Sequence, residues 1–513
     1  MAQNYRRTSI SSPRNSLSEY RTEETKGLLT GVEAEPEPAP RSTWSRRRIA
    51  ALGAGFILLI LGASFIPPLT RTTHAGSSGL YADGELLRSN GTHDFKKTAL
   101  IVSIDGLRAS YLDRGLTPHL LDISKQGLRA KYMKPIFPTL TFPNHWALLT
   151  GLFAESHGIV ANNFWDPDTG KEFRYNSVAH SWNASWWFGE PMWETAGEAG
   201  MITANLMWPG PPKTRSGAAP TYFIPWRDRV PLGEKLDQIM AWIDLPIEER
   251  PQLIMAYEPS LDQAGHLTGP NSALVNKTLS EVDQFAADLQ NELASRNLSD
   301  IVDVVFVSDH GMTDTSQPEL VYIDDILGEG YAQIEHEDGW PSMGLRFSPK
   351  ANASHYVSVL RTAAEENTHK FDVYTHETMP QRYHFSNHKR IAPVYIVPKL
   401  GYALTTRLEN GTGMSKGNHG YDNDEESMRA MFVAHGPFSA AMKAVHQTRA
   451  RRSLSISGLL GNPNKGWHST SDDTYIMDGF QNVEIYGLVM KLLGISKYSA
   501  PNNGTKGFWD RYF

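Results

Sequence analysis

The chain has 513 residues, 40% hydrophobic and 20% charged, a composition that supports a large buried core and excludes a disordered or fibrous chain. Its formal net charge of −7, with the signs well mixed, excludes a global attraction to nucleic acid or an anionic surface, so any phosphate recognition is local. It has no cysteine, which excludes disulfides, thiolate metal sites and a thiol nucleophile, and leaves histidines and carboxylates to carry chemistry.

Residues 1–48 are rich in Ser, Arg, Glu and Pro and read as a disordered cytosolic tail, too poor in apolar surface to order itself. Within the tail, residues 24–29 (ETKGLL) are similar to an acidic dileucine sorting signal, a pattern short enough to arise by chance. Ile49 to Ile66 then runs eighteen residues without a charge, about 27 Å as a helix and just enough to span a bilayer. Residues 49–69 are therefore expected to be a transmembrane anchor. A cleaved signal peptide is the alternative, against which stands the long polar segment ahead of the run. Arg41, Arg46, Arg47 and Arg48 precede the run, which puts the N-terminus in the cytosol and the large C-terminal part in a lumen or outside the cell, a type II arrangement at the cell surface or an endosomal or vacuolar membrane. N-linked sequons agree with this, since Asn90, Asn183, Asn276, Asn297, Asn352, Asn410 and Asn503 all lie beyond the run and none lies before it. Residues 70–97 read as a stalk.

Residues 98–497 alternate short apolar runs with helical patterns, as in an α/β sheet protein. Ala99 to Asp105 (ALIVSID), Gln252 to Asp262 (QLIMAYEPSLD) and Val302 to His310 (VDVVFVSDH) each run apolar and end in carboxylates. Such runs fit strands buried on both faces of a mostly parallel sheet, where ligands bind beyond the carboxyl ends. The three aspartates are expected to converge on one rim. Between the first two runs, Thr141 precedes Phe142-Pro143-Asn144-His145 and an apolar helical pattern, which puts its hydroxyl near a helix N-terminus that can hold phosphate oxygens. The same pattern is also that of a plain helix cap. Ala430 to His435 (AMFVAH) is a fourth strand; it follows GNHGYDND and brings His419 near the sheet without fixing at which end. Residues 441–474 read as a polar, basic surface insertion, with Arg449-Ala450-Arg451-Arg452 as a protease-sensitive or anion-binding stretch or simply a solvated loop. Residues 498–513 form a C-terminal extension.

Taken singly, these residues have plain structural roles, because an Asp after a strand caps helices and a buried His satisfies hydrogen bonds. Their combination carries the signal: Asp105, Asp262, His266, Asp309, His310 and His419, all expected on strand-end loops. Three carboxylates and three imidazoles suit Zn²⁺ better than Ca²⁺, and six ligands exceed one tetrahedral site.

The segments IDGLR (104–108), PTLTFPNH (138–145), NNFWDP (162–167), MWPG (207–210), DQAGH (262–266), SDHGM (308–312), GNHGY (417–421) and APNNGT (500–505) together resemble the nucleotide pyrophosphatase/phosphodiesterase family of the alkaline-phosphatase superfamily. The resemblance implies an α/β sandwich, alkaline-phosphatase-like, with a large, mostly parallel central sheet flanked by helices. It implies two Zn²⁺ ions, one held by Asp262, His266 and His419, the other by Asp105, Asp309, His310 and the Thr141 oxygen. Thr141 is then the nucleophile that becomes phosphorylated, and Asn162 holds a phosphoryl oxygen. Phe142 and Tyr257 are expected to sandwich a nucleotide base in a pocket that Trp208 and Pro209 line. The implied substrates are NTPs, dinucleotides and nucleotide sugars, cleaved to nucleoside 5′-monophosphates, with no macromolecular partner expected. EPSLD stands where the family commonly has EEPD, the 441–474 insertion is extra, and the disulfides of many secreted members are absent. Two other readings stay open: a glycerophosphodiester or phospholipid phosphodiesterase on the same metal core, and an inactive adhesion or receptor ectodomain.

Overall fold

A computed structural model describes residues 87–442, 467–469 and 475–512. The expected cytosolic tail, the anchor at 49–69, most of the stalk and most of the 441–474 insertion, including its basic stretch, lie outside these residues. Among the described residues no helix is long and apolar enough to cross a membrane.

The apolar runs form the centre of a nine-stranded sheet. In chain order its strands are β1 (Thr98–Ile104), β2 (Leu128–Ala130), β3 (Thr203–Leu206), β4 (Tyr222–Ile224), β5 (Leu253–Glu258), β6 (Val302–Val307), β7 (Phe432–His435), β8 (Trp467–Ser469) and β9 (Tyr475–Met477). Their order in space is β8-β9-β2-β7-β6-β1-β5-β3-β4. Every residue of β1, β5 and β6 is buried, because helices cover both faces and leave no side for polar alternation. β1 pairs in parallel with β5 and β6, and β3 and β4 continue the parallel run outward, as an α/β sandwich requires.

Register explains why the carboxylates meet. Ile104 lies opposite Glu258, and Ser103 opposite Val307, so β1, β5 and β6 end together and the residues that follow them share one rim. β7 is antiparallel, with Phe432 opposite Val307, so the chain entering β7 comes from that same rim. The direction of β7 therefore places His419, which the sequence left unassigned between the two ends, on the side of the aspartates.

The main core includes Trp146, Trp187 and Trp193, all nearly or fully buried. Trp146 donates its indole N–H to the Phe188 carbonyl at 2.7 Å, which satisfies the ring's one polar atom. The C-terminal extension closes this core: Trp509 packs edge-on to Phe480 with ring centroids 5.4 Å apart. A second, smaller apolar cluster, including Val321, Leu345, Leu360 and Ile396, lies in the chain between β6 and β7. It is built on a four-stranded antiparallel sheet of Ile334–Asp338, Met343–Phe347, Val394–Pro398 and Phe371–Thr375.

Candidate functional site

Asp105 follows β1 directly, and Asp309 and His310 lie just beyond β6. Asp262 and His266 differ from expectation: they stand not on a loop but in α2 (Ser260–Thr268), after α1 (Thr141–Thr150) in the chain. The reason is Pro259, which ends the strand and occupies the helix N-cap position, so Asp262 and His266, four residues apart, share one helical face. The strand end beneath them is fixed by Lys235, buried, which donates to the Tyr257 carbonyl at 3.0 Å and to the Glu258 carboxylate at 2.5 Å. Glycine is required where these elements touch. Gly106 has φ +67°, and a Cβ there would lie 3.1 Å from Asp262. At Gly417, a Cβ would lie 2.4 Å from the Gly265 carbonyl oxygen, so the approach that brings His266 to His419 has no room for a side chain.

All six expected ligands are brought together. Asp262, His266 and His419 offer ligand atoms within 4.8 Å of one another, and so do Asp105, Asp262 and His310. The His266 and His419 Nε2 atoms are 3.1 Å apart. His310 Nε2 stands 3.0 Å from Asp309 Oδ2, 3.4 Å from Asp105 Oδ1 and 3.2 Å from the Thr141 hydroxyl. Each imidazole has its other nitrogen against a backbone carbonyl: His266 Nδ1 to Gly417 at 3.0 Å, His310 Nδ1 to Gly311 at 2.9 Å and His419 Nδ1 to Thr139 at 2.8 Å. Donation at Nδ1 leaves every Nε2 as a lone pair aimed inward, the arrangement of metal-ligating histidines. Asp105 Oδ1, Asp262 Oδ1 and Asp309 Oδ2 are buried acceptors without a hydrogen-bond partner. A buried carboxylate oxygen with no donor is expensive, and a dication satisfies it. The donor set therefore fits divalent cations.

Electrostatics tell the same story. Burial pushes the Asp105 carboxyl well above its usual range, with the Asp309 and Asp262 charges adding to it. Burial also acts upward on Asp309, but the adjacent His310 and His145 imidazoles outweigh it and hold that carboxyl well below its usual range. Burial, with His310 and His266 beside it, holds His419 well below the ordinary histidine value. Like charges and imidazoles crowd together here, and among the described residues no Lys or Arg lines the adjoining cavity.

Thr141 opens α1 and, with Phe142 and Asn162, faces a cavity of about 570 Å³. The Phe142 N–H does not point at free space, because it donates to Asn162 Oδ1 at 3.0 Å. That bond fixes the amide so that Asn162 Nδ2 is the group left to donate into the cavity. His145, one turn after Thr141, is a residue the sequence reading passed over. Its Nε2 meets Ser103 Oγ at 2.9 Å, and its Nδ1 lies 2.9 Å from the Thr141 carbonyl and 3.3 Å from Asp309 Oδ2. The i, i+4 spacing from Thr141 was the available signal.

Trp208 and Pro209 line the cavity, with Trp208 donating its indole N–H to the His145 carbonyl at 3.4 Å. They follow Met207, a non-glycine residue at φ +65°, the kind of strained backbone that concentrates at functional sites. Tyr257, the second ring expected to sandwich a base, also lines the cavity. Only 6% exposed, it gives its hydroxyl to the Asp105 carboxylate and sets its ring edge-on to His145 at 4.9 Å. Its hydroxyl is committed to the carboxylate shell, and a strand holds its backbone. Trp226, 52% exposed, lines the same cavity and has the accessible ring that Tyr257 lacks.

Comparison with known proteins adds the following. The family model described as type I phosphodiesterase / nucleotide pyrophosphatase matches residues 99–422. The chain is 36% identical over 424 residues to an uncharacterized pyrophosphatase/phosphodiesterase of Schizosaccharomyces pombe, covering 81% of this chain and 80% of that one. It is 33% identical over 414 residues to ectonucleotide pyrophosphatase/phosphodiesterase family member 3 of Rattus norvegicus, covering 80% of this chain but 43% of the relative, so it spans less than half of that protein. Among solved structures, murine ectonucleotide pyrophosphatase/phosphodiesterase 5 matches with a TM-score of 0.67 at 28% identity, covering 80% of this chain and 98% of that one. An inactive threonine-to-alanine variant of that murine protein, in complex with AMP, matches with a TM-score of 0.67 at 27% identity and the same coverage.

Proposed function

From the membership of this chain in the type I phosphodiesterase/nucleotide pyrophosphatase family, we propose that it hydrolyses nucleotide phosphodiester and pyrophosphate bonds to nucleoside 5′-monophosphates through a phosphorylated Thr141. The observation that carries this reading is the Thr141 hydroxyl, 3.2 Å from His310 Nε2, at the start of α1 and on the wall of an aromatic cavity. The relative solved with AMP is inactive after a threonine-to-alanine change, which agrees with a threonine at the centre of the chemistry.

Two divalent ions, read as Zn²⁺, would be held by Asp262, His266 and His419 and by Asp105, Asp309, His310 and the Thr141 oxygen; such ions supply an ionised nucleophile near neutral pH and neutralise developing phosphoryl charge. The chain's own residues do the rest. Thr141 Oγ attacks phosphorus in line, its bond forming as the bond to the leaving oxygen breaks. Asn162, its Oδ1 engaged by the Phe142 N–H, presents Nδ2 to a phosphoryl oxygen without reorganising. Water then cleaves the Oγ–P bond, releasing the monophosphate and restoring the hydroxyl. Phe142 and Trp226 take the base between them, where stacking is worth ~1–3 kcal/mol and tolerates every base. Tyr257, through its bond to Asp105, orients a carboxylate of the metal shell.

On the sequence evidence, the anchor at 49–69 and the sequons make this a glycosylated type II membrane enzyme with its catalytic part lumenal or extracellular. Asn183, Asn297, Asn352, Asn410 and Asn503 are exposed, as glycan acceptors must be.

The test is to trap the intermediate. Rapid quenching of the full-length protein with an α-³²P-labelled dinucleotide should leave acid-stable label on a peptide containing Thr141, and Thr141→Ala should take up none. Steady turnover by that variant, or label on another residue, would refute the assignment.

A further inference from the structure

The charged side chains on the cavity wall, apart from imidazoles, are Asp105, Asp228 and Asp262; among the described residues no Lys or Arg lines it. The arginines beside its mouth are matched by acids: Arg227 pairs with Glu234, and Arg229 Nε lies 3.4 Å from Asp228. Arg108, three residues after Asp105, is not part of the wall. Val178, 59% exposed, and Trp226 add exposed apolar surface to the wall.

A phosphodiester hydrolase must hold both sides of the scissile bond. Two dications are offset by three aspartates and an ionised Thr141, so the centre is about neutral before substrate binds and accommodates the one charge of a diester. Further phosphates on the leaving side find no cationic side chain on the described wall to offset their charge, in a partly enclosed cavity where charge is weakly screened. We propose that this cavity selects substrates by the charge of the leaving group, preferring nucleotide esters whose leaving side carries a single charge, such as dinucleotides and nucleotide sugars, over nucleoside triphosphates. The proposal rests on the nucleotide reading above and narrows it.

A series at fixed nucleoside tests it: P¹,P²-di(adenosine-5′) diphosphate, ADP and ATP carry about one, two and three negative charges on the leaving side near neutral pH. With the zinc-loaded full-length protein and no added magnesium, kcat/KM should fall along the series, by at least about tenfold from the dinucleotide to ATP, which equals about 1.4 kcal/mol. Raising ionic strength, adding Mg²⁺ to neutralise the polyphosphate, or placing a cation on the wall with Gln263→Lys should each narrow the gap by raising the ATP value. ATP turned over as well as or better than the dinucleotide would overturn the charge selection while leaving the nucleotide reading intact. Turnover of none of the three would overturn the nucleotide reading itself.

Discussion

His157 offers a quantitative check on how the nucleophile's helix is held. The residue is fully buried; its Nε2 donates to the Pro143 carbonyl at 3.1 Å in the first turn of α1, and its Nδ1 accepts from the Ile159 N–H at 3.2 Å. Both partners demand the neutral ring, since a proton on Nδ1 would face another donor. Burial, the largest cause, lowers its pKa from the usual 6.5 to about 3. Because the folded value is depressed, the unfolded chain binds more protons below pH 6.5. The stability this group supports is complete above pH 6.5 and is lost as the pH falls toward 3. At pH 5, one and a half units below the unfolded value, the loss is ~2 kcal/mol at about 1.4 kcal/mol per unit. The assay is urea denaturation of wild type and His157→Gln at pH 7.5 and pH 5. Glutamine keeps a donor and an acceptor but does not titrate, so the wild type should lose ~2 kcal/mol more than the variant over that interval, the contribution of the metal-site histidines being common to both. Direct titration of the His157 ring by NMR should show it neutral at pH 5. Equal pH dependence in the two proteins, or a ring that titrates near 6.5, would refute the argument.

Chelation should abolish activity and Zn²⁺ restore it, with two ions per chain by mass spectrometry of the native protein; His419→Ala should weaken the site that shares Asp262 while leaving the Thr141 site better occupied. Phe142→Ala and Trp226→Ala should each lower kcat/KM for a nucleotide ester by about 5- to 100-fold while barely affecting a base-free p-nitrophenyl phosphodiester, and equal losses on both substrates would make the rings structural. Tyr257→Phe keeps the ring and removes the bond to Asp105, so it should impair both substrates alike; a loss confined to the nucleotide ester would return Tyr257 to the base pocket. Protease added to sealed vesicles oriented cytosol-out should remove only the N-terminal tail, and digestion of the catalytic part would overturn the type II orientation.

The centre of the fold was legible because strands buried on both faces must be continuously apolar, and their shared end put Asp105 and Asp309 where the pattern implied. The smaller sheet was not, since a strand such as Ile334–Asp338 (IEHED) is half-exposed and carries no apolar run. Asp262 was expected on a strand-end loop because it follows an apolar run, whereas Pro259 ends the strand and the first turn of a helix begins at once. Tyr257 was expected in the base pocket from the family resemblance; its bond to Asp105 was not legible, because only the pairing of its strand with β1 brings its hydroxyl to that carboxylate. Trp226 reaches the cavity only because β4 pairs with β3 and the Met207 N–H bonds to the Ile224 carbonyl at 2.8 Å, a contact no sequence spacing announces.

The same site sets a tension between folding and function. Three aspartates and three histidines share a buried rim, three carboxylate oxygens have no donor, and Met207 holds a strained backbone beside them. Without cations each of these features disfavours the folded chain, and replacing one acid would relieve part of the repulsion. The surroundings offset that cost with elements that serve no chemistry: fully buried strands, tightly packed tryptophans and glycines where α2 touches its neighbours. Ions bound to the folded rim but not to the unfolded chain would convert the repulsion into attraction, so occupancy and stability are linked through one set of residues. A site that is poor at stabilising its own protein is thereby prepared to hold dications and, through them, a single phosphodiester charge, while the absence of a cationic side chain on the described wall limits how much more anion it tolerates.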